Sequence, residues 1–225
     1  MALTQMLEIR EGVILIDGVD LSTAPQPLIR TRLNTITQEP TFMYGSVRLN
    51  LDPQEQVNDD NALVDALQTV GLWNYVNSEG GLDLDMFGVL LSHGQRQLFC
   101  LARALCHAGC ILIMDEPTSR YVQTTSSSDM FYEEWMLTFS SSVDDSETEE
   151  RFDQIIERRF RDHTVISIIH KLHNIFQFDK VAVMENGRLA EYGSPHDLLA
   201  RDGLFKQIYG SGVVNSDSSS DNSNV

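Results

Sequence analysis

Two hydrophobic periods alternate along this chain. Short apolar runs occur at Gly12-Val-Ile-Leu-Ile-Asp17 and Cys110-Ile-Leu-Ile-Met-Asp115, each ending in an aspartate, and at Thr164-Val-Ile-Ser-Ile-Ile169, which His170 follows. Each reads as a strand, and the last two have the pattern of parallel strands covered on both faces. Between them lie stretches whose apolar positions recur every three or four residues. Residues 60–77 place Leu63, Ala66, Leu67, Val70 and Leu72 at helical spacing, and residues 94–108 and the charged 147–162 do the same. Asp17-Gly18 is a turn signal, and Glu185-Asn186-Gly187 is the turn of a hairpin over 180–192. Residues 3–9 read as the end of a helix, and a last helix runs from about Pro195 to Tyr209. From Ser211 to Val225 the chain is rich in Ser, Asn and Asp. It lacks the apolar content to offset ordering entropy, so residues 211–225 are expected to be a disordered tail. No internal repeat is present.

Strands alternating with helices predict an α/β fold, in which ligands bind at the carboxyl ends of the strands. The 225 residues suggest one domain, over residues 1–210. Hydrophobic content of 42% and charged content of 22% leave that picture unchanged. A net charge of −17 argues against nucleic acid as a partner, because a phosphate-backbone binder carries a basic stripe. No run approaches the ~20 apolar residues of a membrane span, and the N-terminus lacks the basic segment of a signal peptide. The chain is therefore expected in the cytosol unless a partner carries it to a membrane. Three cysteines (Cys100, Cys106, Cys110) are too few and wrongly spaced for a disulfide framework or a zinc site. They read as buried, reduced thiols acting as small hydrophobes.

Candidate chemistry gathers at two places. Ile111-Leu-Ile-Met-Asp115-Glu116 is an apolar strand ending in two carboxylates. An acid there suits magnesium, and the next suits a general base for water. A strand leaving into an acidic turn has the same look. Leu91-Ser92-His93-Gly94-Gln95, followed by Arg96 to Leu105, puts a Ser and a Gly at a helix start, where amides and dipole favour a phosphate. An ordinary N-cap is the plainer alternative.

Together, the Ser92 run and Asp115-Glu116 resemble the signature motif and Walker B strand of the ABC transporter nucleotide-binding domains. Gln38, in Thr37-Gln38-Glu39-Pro40, resembles the Q-loop. Gly45 to Pro53 is similar to a segment typical of the C subfamily, the multidrug-resistance-associated transporters, and the whole looks most like their second nucleotide-binding domain. Ile169-His170-Lys171-Leu172 resembles the H-loop, and Val183 to Pro195 the hairpin after it. The likeness covers about residues 1–209. It implies a P-loop NTPase-like (ABC ATPase) sheet with a helical subdomain at about residues 55–109. It further implies ATP as substrate with Mg2+. Asp115 and Gln38 would serve the metal, Glu116 would activate water and His170 would contact the γ-phosphate. Ser92, His93, Gly94 and Gln95 would grip the ATP of a second nucleotide-binding domain, and transmembrane domains would be the other partners.

Two departures stand against the match. The phosphate-cradling pattern GxxxxGK[ST] occurs nowhere in the chain. The expectation is an N-terminally truncated domain that begins just after that loop and does not bind ATP alone. Second, the family runs from the acids through Thr-Ser directly into Ser-Val-Asp, the D-loop. Here Pro117-Thr118-Ser119 is separated from Ser142-Val143-Asp144 by an insertion at about residues 120–142. Codons for Arg120-Tyr121-Val122, Leu137-Thr138 and Ser142 can spell a splice donor, a branch point and an acceptor, and their excision keeps the frame. A retained intron is the expectation, with a genuine loop insertion as the alternative. His93 in place of the usual first glycine is a minor departure, though a side chain there could crowd the nucleotide.

The leading expectation is an ATP-hydrolysing domain that drives transmembrane export, inactive by itself. The alternative is a degenerate, non-enzymatic module that offers only its signature face to a partner. A DNA-repair ATPase is disfavoured by the acidic balance and by Leu49-Asn-Leu-Asp52-Pro53.

Overall fold

The computed structural model describes residues 2–115, 145–169, 172 and 174–217. The chain divides into two compact units, Met1–Ile168 and Ile169–Val225.

The first unit opens with a hairpin, β1 (Leu15–Ile16) and β2 (Val19–Asp20), joined at Asp17-Gly18 as the turn signal requires. Helix α1 (Gln26–Arg30) leads to β3 (Leu33–Ile36), β4 (Ile111–Asp115) and β5 (Thr164–Ile168). These three form a parallel sheet in the order β3-β4-β5. Between β3 and β4 come α2 (Val47–Leu51), α3 (Asp60–Thr69), α4 (Trp73–Glu79) and α5 (His93–Cys106); α6 (Asp145–Arg159) precedes β5. Hydrophobic burial explains the arrangement. Ile36, Leu112 and Met114 point from one sheet face into a cluster with Leu63 and Leu67 of α3, Leu98, Phe99 and Leu101 of α5, and Phe152 and Ile155 of α6. The helical region around 55–109 thus shares its core with the sheet. Asn34, buried in β3, donates to the carbonyls of Ala104 and Gly109, fixing β3 against the end of α5.

Several expectations change. Residues 2–5 form a turn rather than a helix end, and the strand expected over 12–17 shrinks to Leu15–Ile16. The helix expected over 60–77 breaks into α3 and α4, because Gly71 takes a left-handed conformation (φ 78°). Among the described residues the sheet is not covered on both faces. On the second face Leu33, Ile111 and Ile113 meet Leu21 and Ile29, but Ile166 and Ile168 are 40% and 52% exposed. Cys100 is buried and Cys106 half-buried, whereas Cys110, past the end of α5, is exposed.

In the second unit the hairpin β6 (Val181–Glu185) and β7 (Arg188–Gly193) turns through Asn186 and Gly187 in left-handed conformations, the geometry such two-residue turns demand. The last helix is two: α7 (Pro195–Leu199) and α8 (Leu204–Asp217). The latter runs on past Tyr209 into the stretch expected to be disordered. The core holds Ile175, Val183, Leu198 and Phe205. A tertiary cap starts α8. The Glu191 carboxylate, on β7, accepts the amides of Leu204 (2.7 Å) and Phe205 (3.0 Å). Losing such a cap costs about 1–2 kcal/mol. Glu191→Ala is therefore expected to speed amide exchange over residues 204–210 roughly 5–30-fold. Unchanged exchange there would show the cap to be idle.

Candidate nucleotide-binding site

Parallel pairing sets where the candidate residues fall. Ile36 of β3 stands beside Met114 of β4, and Asp115 beside Ile168 of β5, so the three strands end along one edge. Gln38 follows β3 by two residues and is half-buried; Asp115 closes β4 and is exposed. Both therefore reach the same sheet edge. Glu116, Asp144, His170 and the insertion lie outside the described residues.

The second place is the start of α5. Ser92 is extended (φ −62°, ψ 167°) and caps the helix. Its Oγ accepts the Gln95 amide at 3.2 Å, while Gln95 Oε1 accepts the Ser92 amide at 2.9 Å, a reciprocal capping box. Accepting leaves the serine O–H to donate, and first-turn amides have no intrahelical acceptors. A helix end so held is pre-formed for a phosphate oxygen. His93 is exposed, and its Nε2 lies 3.1 Å from the Gln97 side-chain nitrogen one turn along. The imidazole thus lies back along α5.

Gly94 has an intramolecular reason to be glycine. A Cβ built there would stand 2.8 Å from the Thr148 Cγ2 on α6. Gly94→Ala overpacks this contact, for an expected loss of about 1–3 kcal/mol. Thr148→Ser removes the opposing methyl and is expected to restore most of that loss in the double variant, by thermal or urea melts. A double variant no more stable than Gly94→Ala would mean that another contact fixes the glycine.

Burial sets the charges nearby. It pushes the Cys100 thiol up, against an opposing pull from Arg103, and pushes Cys106 to about 12, helped by Asp52 and Asp65. At both positions burial favours the protonated thiol over the thiolate, the nucleophilic form. The Arg103 guanidinium is lowered by burial.

The residues fit magnesium-ATP in part. Among the described residues, no group of three or more His, Cys, Asp or Glu is placed to hold a metal. Magnesium needs only one or two carboxylates when phosphates complete its shell, so Asp115 with Gln38 is a fitting donor set. The α5 start fits a phosphate. The GxxxxGK[ST] pattern of a phosphate-wrapping loop is not in the sequence. Sequence reasoning missed the supports: β3 itself, Thr148, Asn50 and Arg103. Asn50 and Arg103 sit inside runs that carried the resemblance, but nothing local marks which atoms they bind.

A parallel α/β sheet with polar groups at one strand edge, in a chain that also carries a capped helix start, fits one class: a nucleotide-binding domain of the ABC ATPase fold. The chain belongs to the ABC transporter family, whose model matches residues 1–119. It is 37% identical over 215 residues to ABC multidrug transporter B of Aspergillus fumigatus, covering 95% of this chain and 13% of that protein. It is 42% identical over 210 residues to an ABC-type transporter of Gibberella zeae, covering 93% and 13%. With ATP-binding cassette sub-family C member 2 of Rattus norvegicus it shares 35% over 209 residues, covering 90% and 12%. Among solved structures, a bacterial Atm1-family ABC exporter with ATP bound matches with a TM-score of 0.74 and 26% identity. That match covers 93% of this chain and 33% of the exporter's. The chain thus spans about an eighth of the curated relatives it matches. No helix among the described residues is long and apolar enough to cross a membrane.

Proposed function

We propose that this chain is the ATP-binding part of a C-subfamily type exporter, most like a second nucleotide-binding domain, and that these 225 residues alone neither retain nor hydrolyse ATP. One observation carries the reading: parallel register brings Gln38 and Asp115 to a single edge, in a domain that also presents a capped signature helix. In this reading Asp115 and Gln38 hold Mg2+, Glu116 takes the proton of the attacking water and His170 steadies the γ-phosphate. Asp144 contributes to the face between domains. Ser92, His93, Gly94 and Gln95 meet the phosphates of ATP held by a second nucleotide-binding domain. Magnesium supplies charge neutralisation at the phosphates. Transmembrane domains, on whose cytoplasmic side this domain works, meet the surface that carries Tyr44. That ring is 88% exposed and stacks on Phe87 at 4.8 Å.

The test is pairing in trans. This chain is mixed with a complete nucleotide-binding domain of a fungal relative that carries its own GxxxxGK[ST] loop and holds ATP. ATP-dependent heterodimer is expected by sedimentation. Ser92→Asp keeps the N-cap but sets a carboxylate against phosphate, and should abolish pairing while leaving the fold intact. Pairing that ignores ATP, or survives Ser92→Asp, removes the trans role. The absence of a phosphate loop supports a second reading, a module that only lends its signature face. It predicts the same pairing, with hydrolysis indifferent to Glu116.

A further inference from the structure

The loop between Gln38 and α2 has no regular secondary structure, yet several of its backbone groups are hydrogen-bonded by side chains of α2 and α5. Asn50, fully buried on α2, accepts the Met43 amide through Oδ1 at 2.8 Å and donates Nδ2 to the carbonyls of Met43 (2.9 Å) and Ser46 (3.0 Å). From α5, Arg103 reaches across. Its Nε donates to the Asn50 carbonyl at 2.6 Å and a terminal nitrogen donates to the Thr41 carbonyl at 3.0 Å. The same guanidinium lies 5.9 Å over the Phe42 ring, which packs edge-on against Phe99 of α5 at 5.4 Å. Further along, the loop pairs with a second segment, Met86 donating to Gly45 and Val47 to Leu84.

We infer that Arg103 is a positioning residue whose planar fork pins the loop after Gln38 to α5, so that this loop and the helix capped by Ser92 move as one body. The inference rests on the reading above only in giving Gln38 and Ser92 their nucleotide roles. Geometry demands arginine. Two carbonyls from separate segments are held at once by nitrogens in one rigid plane, which a lysine ammonium cannot match. A fixed loop keeps Gln38 at a set place on the strand edge, and a shift there is delivered to the signature end of α5.

Native-state hydrogen exchange on the chain as it stands tests this, with no nucleotide present. In the wild type the Met43 amide is expected to open with the same denaturant dependence as Leu101 and Ala102 in mid-α5. The Arg103 Nε–H is expected as a protected resonance in nitrogen-15 NMR spectra. Arg103→Lys keeps the charge but loses the fork. Met43 should then exchange about tenfold faster or more, through denaturant-insensitive local opening, with mid-α5 unchanged. A Met43 amide that opens locally in the wild type, or is unmoved by Arg103→Lys, overturns the inference. If Arg103→Lys does not fold, the wild-type comparison decides alone. The pairing experiment reads nucleotide contacts instead, so either result can fail without the other.

Discussion

Titration of this chain with magnesium-ATP is expected to give no saturable heat up to roughly 1 mM nucleotide, a level equivalent to ~4 kcal/mol of binding. A phosphate loop wraps the phosphates in backbone amides and adds a lysine. Two or three such charge-assisted hydrogen bonds are worth ~1.5–3 kcal/mol each. Without them the loss is ~3–9 kcal/mol, or roughly a hundredfold to a millionfold in affinity. The described site offers only part of a replacement. The amides at the start of α5 face the ATP of a second domain in the reading above, and one carboxylate with one glutamine at the strand edge does not enclose a triphosphate. Clear magnesium-dependent binding at micromolar concentrations would show that other residues do that work.

The second large effect concerns Glu116. Grafting a relative's phosphate-loop segment ahead of Met1 is expected to create nucleotide binding, and hydrolysis when the chimera is paired with a complete partner domain. Glu116→Gln in that chimera should lower turnover about 10²–10⁴-fold with ATP still bound, because the amide cannot accept the proton of the attacking water. Asp115→Asn should act differently and weaken the magnesium dependence of binding itself. Turnover that survives Glu116→Gln would move the base elsewhere or favour the non-enzymatic reading. Residues 120–141 bear on the same measurement, since deleting them joins Ser119 to Ser142 and restores the Thr-Ser-Ser-Val-Asp run typical of the family. Higher turnover in the deleted chimera would mark the insertion as an obstacle.

Much of the site was legible because its motifs are local. An apolar strand that stops at Asp115, and a Ser92-to-Gln95 helix start, are determined by burial and by capping chemistry within a few residues. The hairpin at Asn186-Gly187 was legible for the same reason. β3 was not. It is four residues long, with a buried Asn34 and an exposed Thr35, and periodicity cannot find it. Its strand character comes from pairing with β4, 75 or more residues away. The broken helices were hidden too. Gly71 ends α3, and α8 takes its start from Glu191, which lies in another element.

The sequence by itself determined the class of fold, the order of its motifs and the absence of a phosphate-loop pattern, all of which depend on residue type and spacing along the chain. Tertiary structure alone decided that Gln38 and Asp115 share an edge, since that follows from parallel register between distant strands. It alone showed why position 94 admits no side chain, because Thr148 fills the space from a helix beyond the insertion. It alone joined the Gln38 loop to α5, because Arg103 finds its carbonyl partners 53 and 62 residues away in sequence, where no local pattern reaches.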